Sequence, residues 1–217
     1  MKILALEFSS ETRSVALVES GRVAGRAAES GGRSTRAFAL IDAALRQAGW
    51  ERETIECIAV GLGPGSYTGI RAAIALAQGW QLARPVHVLG IGSVECLAAQ
   101  AHSEKIHGAV HFLIDAQRGE FYYARAELAE TGPRLEALRI IGLEEARSLS
   151  AGKQIVEPAL LQLFPGARAL CPDAAALGTL ASGRNDFVGA DKLEPVYLRP
   201  VSFVKAPPPR VIPSLRS

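Results

Sequence analysis

The stretch Gly61-Leu-Gly-Pro-Gly-Ser-Tyr-Thr-Gly-Ile-Arg71, with the run Ala72 to Ala83 behind it, decides how this chain is read. A β-branched strand around Ile58, Ala59 and Val60 runs into a turn dense in glycine and proline. Gly61, Gly63, Gly65 and Gly69 permit positive φ or close backbone approach, and Pro64 stops the strand. Ser66 or Thr68 suits the N-cap of a helix starting near Gly69. The turn thus presents a helix N-terminus whose N–H groups can receive an anion or a partner's carboxylate.

Three familiar loop chemistries do not fit. A phosphate-cradling P-loop ends in Gly-Lys-Ser/Thr, and this segment has no lysine. A dinucleotide fingerprint needs Gly-x-Gly-x-x-Gly, but the sixth position is Ser66 counted from Gly61 and Thr68 counted from Gly63. A nucleophile elbow needs glycine two residues before the serine, where Pro64 stands.

The helix that follows carries Ile70, Ala73, Ile74, Ala77 and Trp80 at helical spacing, one apolar stripe. Its other face, Arg71, Ala72, Ala75, Gln78, Gly79 and Leu82, is small and nearly uncharged, although surface helices normally carry their charges there. Two readings follow. The helix is wholly buried in the core with a strained arginine, or its second face is covered by another protein. Ser66, Thr68, Arg71, Ala72, Ala75, Gln78, Gly79 and Leu82 are the candidate partner-interface residues, and no residue is assigned a catalytic or metal-binding role.

Gly63 to Arg71, followed by Ala77-Gln-Gly79, resembles the signature of the bacterial TsaB (YeaZ) family. Three further patches are similar in the same order: Ile3-Leu-Ala-Leu-Glu7, Ile114-Asp-Ala-Gln-Arg-Gly-Glu-Phe-Tyr122 and Glu194-Pro-Val-Tyr-Leu-Arg199. The resemblance implies an α/β fold of the actin-like ATPase class, built from two ribonuclease-H-like lobes with the second degenerate. It implies a non-catalytic dimerisation subunit that binds a TsaD-like enzyme and supports threonylcarbamoyl transfer to adenosine in tRNA. A TsaE-like ATPase joins the pair, tRNA is met only through the complex, and no cofactor is held tightly, with ATP or ADP allowed where the two sisters meet. The catalytic sister carries a His-x-x-x-His metal pair on the helix ending near Ala48. This chain has Arg33 near the start of that helix and no histidine on it. Family members generally have Asp where this chain has Glu7, and many have Arg at the place of Gln117.

Composition narrows the classes further. The chain has 217 residues, 48% hydrophobic and 21% charged, with a formal net charge of +2, so no field argues by itself for nucleic acid. Cys57, Cys96 and Cys171 cannot pair completely and read as reduced core thiols of a cytoplasmic protein. The N-terminus does not read as a signal peptide, and no stretch is long enough to span a membrane.

In order, residues 2–8, 14–18 and 22–28 read as strands, hinged at Ser20-Gly21. Glu7 reads as a solvated carboxylate at a strand end. A helix capped by Ser34 or Thr35 runs to Ala48 with Gly49 as its stop, Cys57 to Gly61 is a strand, Val86 to Leu89 another, and Ser93 caps a helix to Ala101. These make a first lobe, 1–104. A second lobe, 105–205, has strands at 110–114, 120–126, 134–141 and 153–156, a short helix at 143–149 and one after Asp173. His107 and His111 fall about 13 Å apart if they lie on one strand, too far to share an ion. The tail from 206 to 217 is proline-rich and extended. The alternative function is a metal- or ATP-dependent enzyme of the same superfamily, with Glu7, Ser9, Ser10 and Asp115 around a cleft. A homodimer through the same helix is a third arrangement.

Overall fold

The computed structural model describes residues 1–31, 36–149 and 153–198. The proposed caps Ser34 and Thr35, together with Arg33, Arg199 and the tail from 206, lie outside the described residues.

The first sheet has the order β3-β2-β1-β4-β5. Its strands are β1 (Lys2–Glu7), β2 (Thr12–Glu19), β3 (Arg22–Ser30), β4 (Cys57–Gly61) and β5 (His87–Ile91). β2 runs antiparallel to β1 and β3, while β4 is parallel to β1 and β5. Ser20 and Gly21 both take positive φ, as a two-residue hairpin loop requires. Side chains alternate along β1: Leu4 and Leu6 face one core, Ile3 and Ala5 the other. The first core is closed by α1 (Ala37–Ala48) and α2 (Tyr67–Ala83). Gly49 ends α1 in the left-handed conformation.

The second sheet has the order β11-β10-β6-β7-β8, with β9 also pairing β7. Its strands are β6 (Gly108–Asp115), β7 (Glu120–Ala129), β8 (Gly132–Leu135), β9 (Arg139–Gly142), β10 (Lys153–Val156) and β11 (Arg168–Ala169). The strand expected over 134–141 is therefore two strands. β8 pairs with the C-terminal half of β7 and β9 with its N-terminal half, so the chain must break between them. α4 (Leu143–Ser148) buries Ala146 against this sheet. The two lobes and their mixed sheets are the actin-like ATPase class expected from the sequence.

The lobes exchange helices. α3 (Ser93–Ser103) follows the first sheet but packs Val94, Leu97, Ala98 and Ala101 against Val110, Phe112 and Ala124 of the second. α5 (Ala174–Ser182) follows the second sheet but packs Ala174, Leu177 and Ala181 against Ile3, Ala5, Ala16 and Val18 of the first. Asp173 caps α5 as expected, accepting from Ala175 N–H at 2.7 Å. The chain then stays on the first lobe, where Val188 donates to Val88 and Val196 to Leu62. Among the described residues no helix is long and apolar enough to cross a membrane.

Candidate functional site

The glycine-rich turn joins β4 to α2 and is held from three sides. Ser66 N–H donates to Ser9 carbonyl, Leu62 N–H to Ile91 carbonyl, and Ser93 N–H to Gly63 carbonyl at 2.8 Å. Ser93 Oγ accepts from Gly63 N–H at 3.1 Å and donates to Glu7 Oε2 at 2.9 Å. Ser9 N–H donates to Glu7 Oε1 at 2.8 Å. Glu7 therefore ties β1 to the turn and to the first residue of α3.

Glu7 was expected in solvent and instead is wholly buried. Burial raises its pKa, against the lowering effect of the Ser9 and Ser93 hydrogen bonds. Space for the carboxylate depends on Gly61, because a Cβ there would overlap both Glu7 oxygens. Ser93 is not the cap of α3: Gly92 holds that position, with Glu95 accepting from its N–H. The serine hydroxyl is used on Glu7 instead. The acid expected at the mouth of a cleft is an internal strut.

Ser66 is the N-cap of α2, accepting from Gly69 N–H at 3.3 Å, and the helix begins at Tyr67. Two N–H groups of this N-terminus, those of Ser66 and Gly69, thus already have partners within the chain. Ile70, Ala73, Ile74 and Ala77 are buried and Trp80 is partly so. The second face is not covered by the rest of the chain. Thr68, Arg71, Ala75, Gly79 and Leu82 are exposed, Leu82 by 89%, and Ala72 is half-buried. This removes the wholly buried helix. Arg71 lies over the Tyr67 ring and donates to its hydroxyl at 3.0 Å, which keeps its charge at the rim of the face. Gln78 departs from the expected set, because its amide donates to Ala190 carbonyl at 3.2 Å and so serves the chain's own fold.

Gly79 is informative because nothing in the fold requires it. Its φ is helical, and a Cβ there would meet nothing within 4 Å. Glycine in a helix interior costs about 1 kcal/mol against alanine. Beside it runs a concave apolar groove of about 400 Å³, lined by Phe38, Ala75, Leu76, Gly79, Trp80 and Ala83 among others. Phe38, on α1, is 64% exposed at this groove. Leu82 was placed on this face by the sequence pattern of α2, whereas Phe38 is the solvent-facing apolar side chain that the pattern of α2 alone did not reveal.

The space between the lobes is a separate cleft of about 650 Å³, lined by Ser9, Ser10, Arg13, Tyr67, Tyr122 and Tyr197 together with Glu11, Asp115 and Glu157. Asp115 accepts from Gln117 N–H at 2.7 Å and from its side-chain amide at 2.9 Å. Desolvation, followed by the nearby charges of Asp115 and Glu11, raises Glu157 to about 7. Three carboxyl groups against Arg13 oppose a nucleotide's phosphates, so these residues do not fit that ligand by themselves. Tyr197, of the C-terminal patch, stacks on Tyr67 at 5.5 Å and closes one end.

His111 is buried within β6, with Nδ1 2.9 Å from the Tyr123 hydroxyl, while His107 precedes the strand and is exposed. Among the described residues no group of three His, Cys, Asp or Glu side chains is placed to hold a metal. Cys57 and Cys96 are buried thiols, the first pushed up to about 12 chiefly by burial. Arg36 pairs with Glu29 at 3.2 Å beside β3.

The family model described as TsaD, tRNA N6-adenosine threonylcarbamoyltransferase, matches residues 31–154, more than half of the chain. A relative from Escherichia coli K12, the tRNA threonylcarbamoyladenosine biosynthesis protein TsaB, is 32% identical over 133 residues. That match covers 61% of this chain and 58% of the relative's length. An uncharacterized protein of Mycobacterium tuberculosis H37Rv is 30% identical over 166 residues, 74% of this chain and 70% of that protein. Among solved structures, YeaZ from Pseudomonas aeruginosa superposes with a TM-score of 0.77 at 29% identity, covering 91% of this chain and 99% of that one. The signature turn, the two-lobed topology and these matches together place the chain in the TsaB (YeaZ) family.

Proposed function

We propose that this protein is a non-catalytic subunit that binds a TsaD-like enzyme through the outer face of α2 and is required for threonylcarbamoyl transfer to adenosine in tRNA. The observation that carries the reading is the exposed small-residue face with Gly79 at its centre. A glycine that costs helix stability and relieves no contact within its own chain fits close approach of a second backbone. Thr68, Arg71, Ala72, Ala75, Gly79 and Leu82 form that contact, and Ser66 fixes the start of the helix that carries them. The adjoining groove takes an apolar side chain of the partner beside Phe38 and Trp80. A TsaE-like ATPase joins the pair, and ATP or ADP sits at the contact between the sisters rather than in the carboxylate-lined cleft of this chain. The absence of a catalytic role is supported by Glu7, whose two oxygens are occupied by Ser9 and Ser93 and are closed off from the cleft.

Reconstitution tests this. The chain, a TsaD-like enzyme and a TsaE-like ATPase together should form threonylcarbamoyladenosine on tRNA, and omission of the chain should abolish product. Turnover by the chain alone would reverse the assignment in favour of an active enzyme of the same superfamily.

A further inference from the structure

A third concavity, of about 700 Å³, lies at the β10–β11 side of the second sheet and takes no part in the contact described above. Four cations line it from four different elements: Lys105 in the turn after α3, Arg147 on α4, Lys153 on β10 and Arg168 on β11. Buried Ile155 and Phe164 give it an apolar floor, and among the described residues no acidic side chain lines it. Glu104 pairs with Arg168, and Glu144 stands 3.7 Å from Arg147, both from outside the lining. These pairs are exposed, so they orient the arginines more than they neutralise them. Lys153 Nζ donates to His107 carbonyl at 3.1 Å. Among the described residues no carboxylate pairs with Lys105 or Lys153.

The concentration of charge is local. With Glu104 and Glu144 counted beside the four cations, this corner carries the whole net charge of +2, and the rest of the chain balances at twenty Lys and Arg against twenty Asp and Glu. Two ammonium groups without counter-ions, flanked by two oriented guanidinium forks, match a dianionic phosphate better than a single carboxylate. The volume lies within the range of small-molecule sites, and the floor suits a ring or hydrocarbon body.

We infer that this pocket binds a phosphate monoester carried on an apolar or aromatic body, the phosphate held by Lys105, Lys153 and Arg147 and the body resting on Ile155 and Phe164. The inference does not rest on the partner reading, since α2 packs on the first sheet. Such a phosphate belongs either to a free nucleotide or to the 5′ end of an RNA.

The test titrates the full chain with AMP, with inorganic phosphate and with a short 5′-phosphorylated RNA hairpin, by calorimetry and fluorescence anisotropy. Saturable binding is expected, weakened about tenfold or more in the double variant Lys105→Glu/Lys153→Glu and left unchanged by Arg22→Glu on β3, at the far edge of the first sheet. Should the charge-reversed chain fail to fold by circular dichroism, Lys105→Ala/Lys153→Ala replaces it. AMP binding without hairpin binding assigns a free metabolite, and hairpin binding without AMP binding assigns an RNA end. No saturable binding of any probe, or equal weakening by Arg22→Glu, overturns the inference. Association of the same double variant with a TsaD-like enzyme is measured alongside, so that a failure here is distinguished from failure of the α2 contact.

Discussion

The corner around Glu7 and the outer face of α2 lie at the two ends of one turn and invert the usual rule of burial. At the corner a carboxyl group is wholly inside, supplied with a hydrogen bond at each oxygen. On the helix, Leu82 stands 89% exposed beside alanine and glycine. A buried polar group is tolerated when its partners are in place, so the corner is complete within the chain. An exposed apolar face has no such completion within the described chain, and the proposal is that a second polypeptide supplies it. The contrast teaches that Glu7, an acid the sequence offers to an active site, is tied into the fold by Ser9 and Ser93. The residues of α2 that look like core packing are the ones free to meet a partner.

The comparison breaks hardest at Gly61. Gly61→Ala should destabilise the chain by about 3 kcal/mol or more, because the added methyl overlaps the Glu7 carboxyl and neither can move outward. Urea unfolding measures this, and a loss under half of that would mean the corner is looser than described. Glu7→Ala comes next, at about 2–3 kcal/mol, since it strands Ser9 N–H and the Ser93 hydroxyl. Glu7→Gln should cost less, because the amide has the shape of the neutral acid that burial favours. Equal, negligible effects of both changes would return Glu7 to solvent.

The cleft offers a smaller effect with a definite sign. Glu157 holds its proton up to about 7, above its ordinary value of 4.5, so the folded state binds that proton more tightly than the unfolded chain. Its contribution to stability is therefore full below 4.5, is lost as pH rises to about 7, and is flat beyond. The loss is about 2 kcal/mol once its partial exposure is allowed for. Glu157→Gln should flatten stability between those limits, as read from urea midpoints across pH. The smallest expected change is Gly79→Ala, which should stabilise the isolated chain by about 0.5–1 kcal/mol while weakening association with a TsaD-like enzyme. Stabilisation with unchanged association would leave Gly79 without a role in the contact.

Much of the fold was legible because its signals are local. Cys57–Gly61 is a β-branched run closed by glycine, Gly49 stops α1, and Asp173 caps α5, each readable from a few neighbouring residues. The exchange of α3 and α5 between lobes was not legible. Both helices are short and apolar, and nothing in their spacing says which sheet they cover. Glu7 was misjudged for a related reason: Ser9 is near in sequence, but its other partner, Ser93, is 86 residues away and its space is left by Gly61. The stripe of α2 was legible from its period, whereas Gln78 could not be assigned without Ala190 beside it, and Phe38 faced outward because α1 turns it toward the groove.

The central claim is that the outer face of α2 is a protein interface and that the fold stands without it. Sedimentation of Ala75→Arg with a TsaD-like enzyme tests this most directly, with urea unfolding of the same variant as control. The account predicts stability within about 0.5 kcal/mol of the unchanged chain and loss of the heterodimer by at least about a hundredfold in affinity. A heterodimer formed as tightly as before, by a folded Ala75→Arg chain, would contradict it.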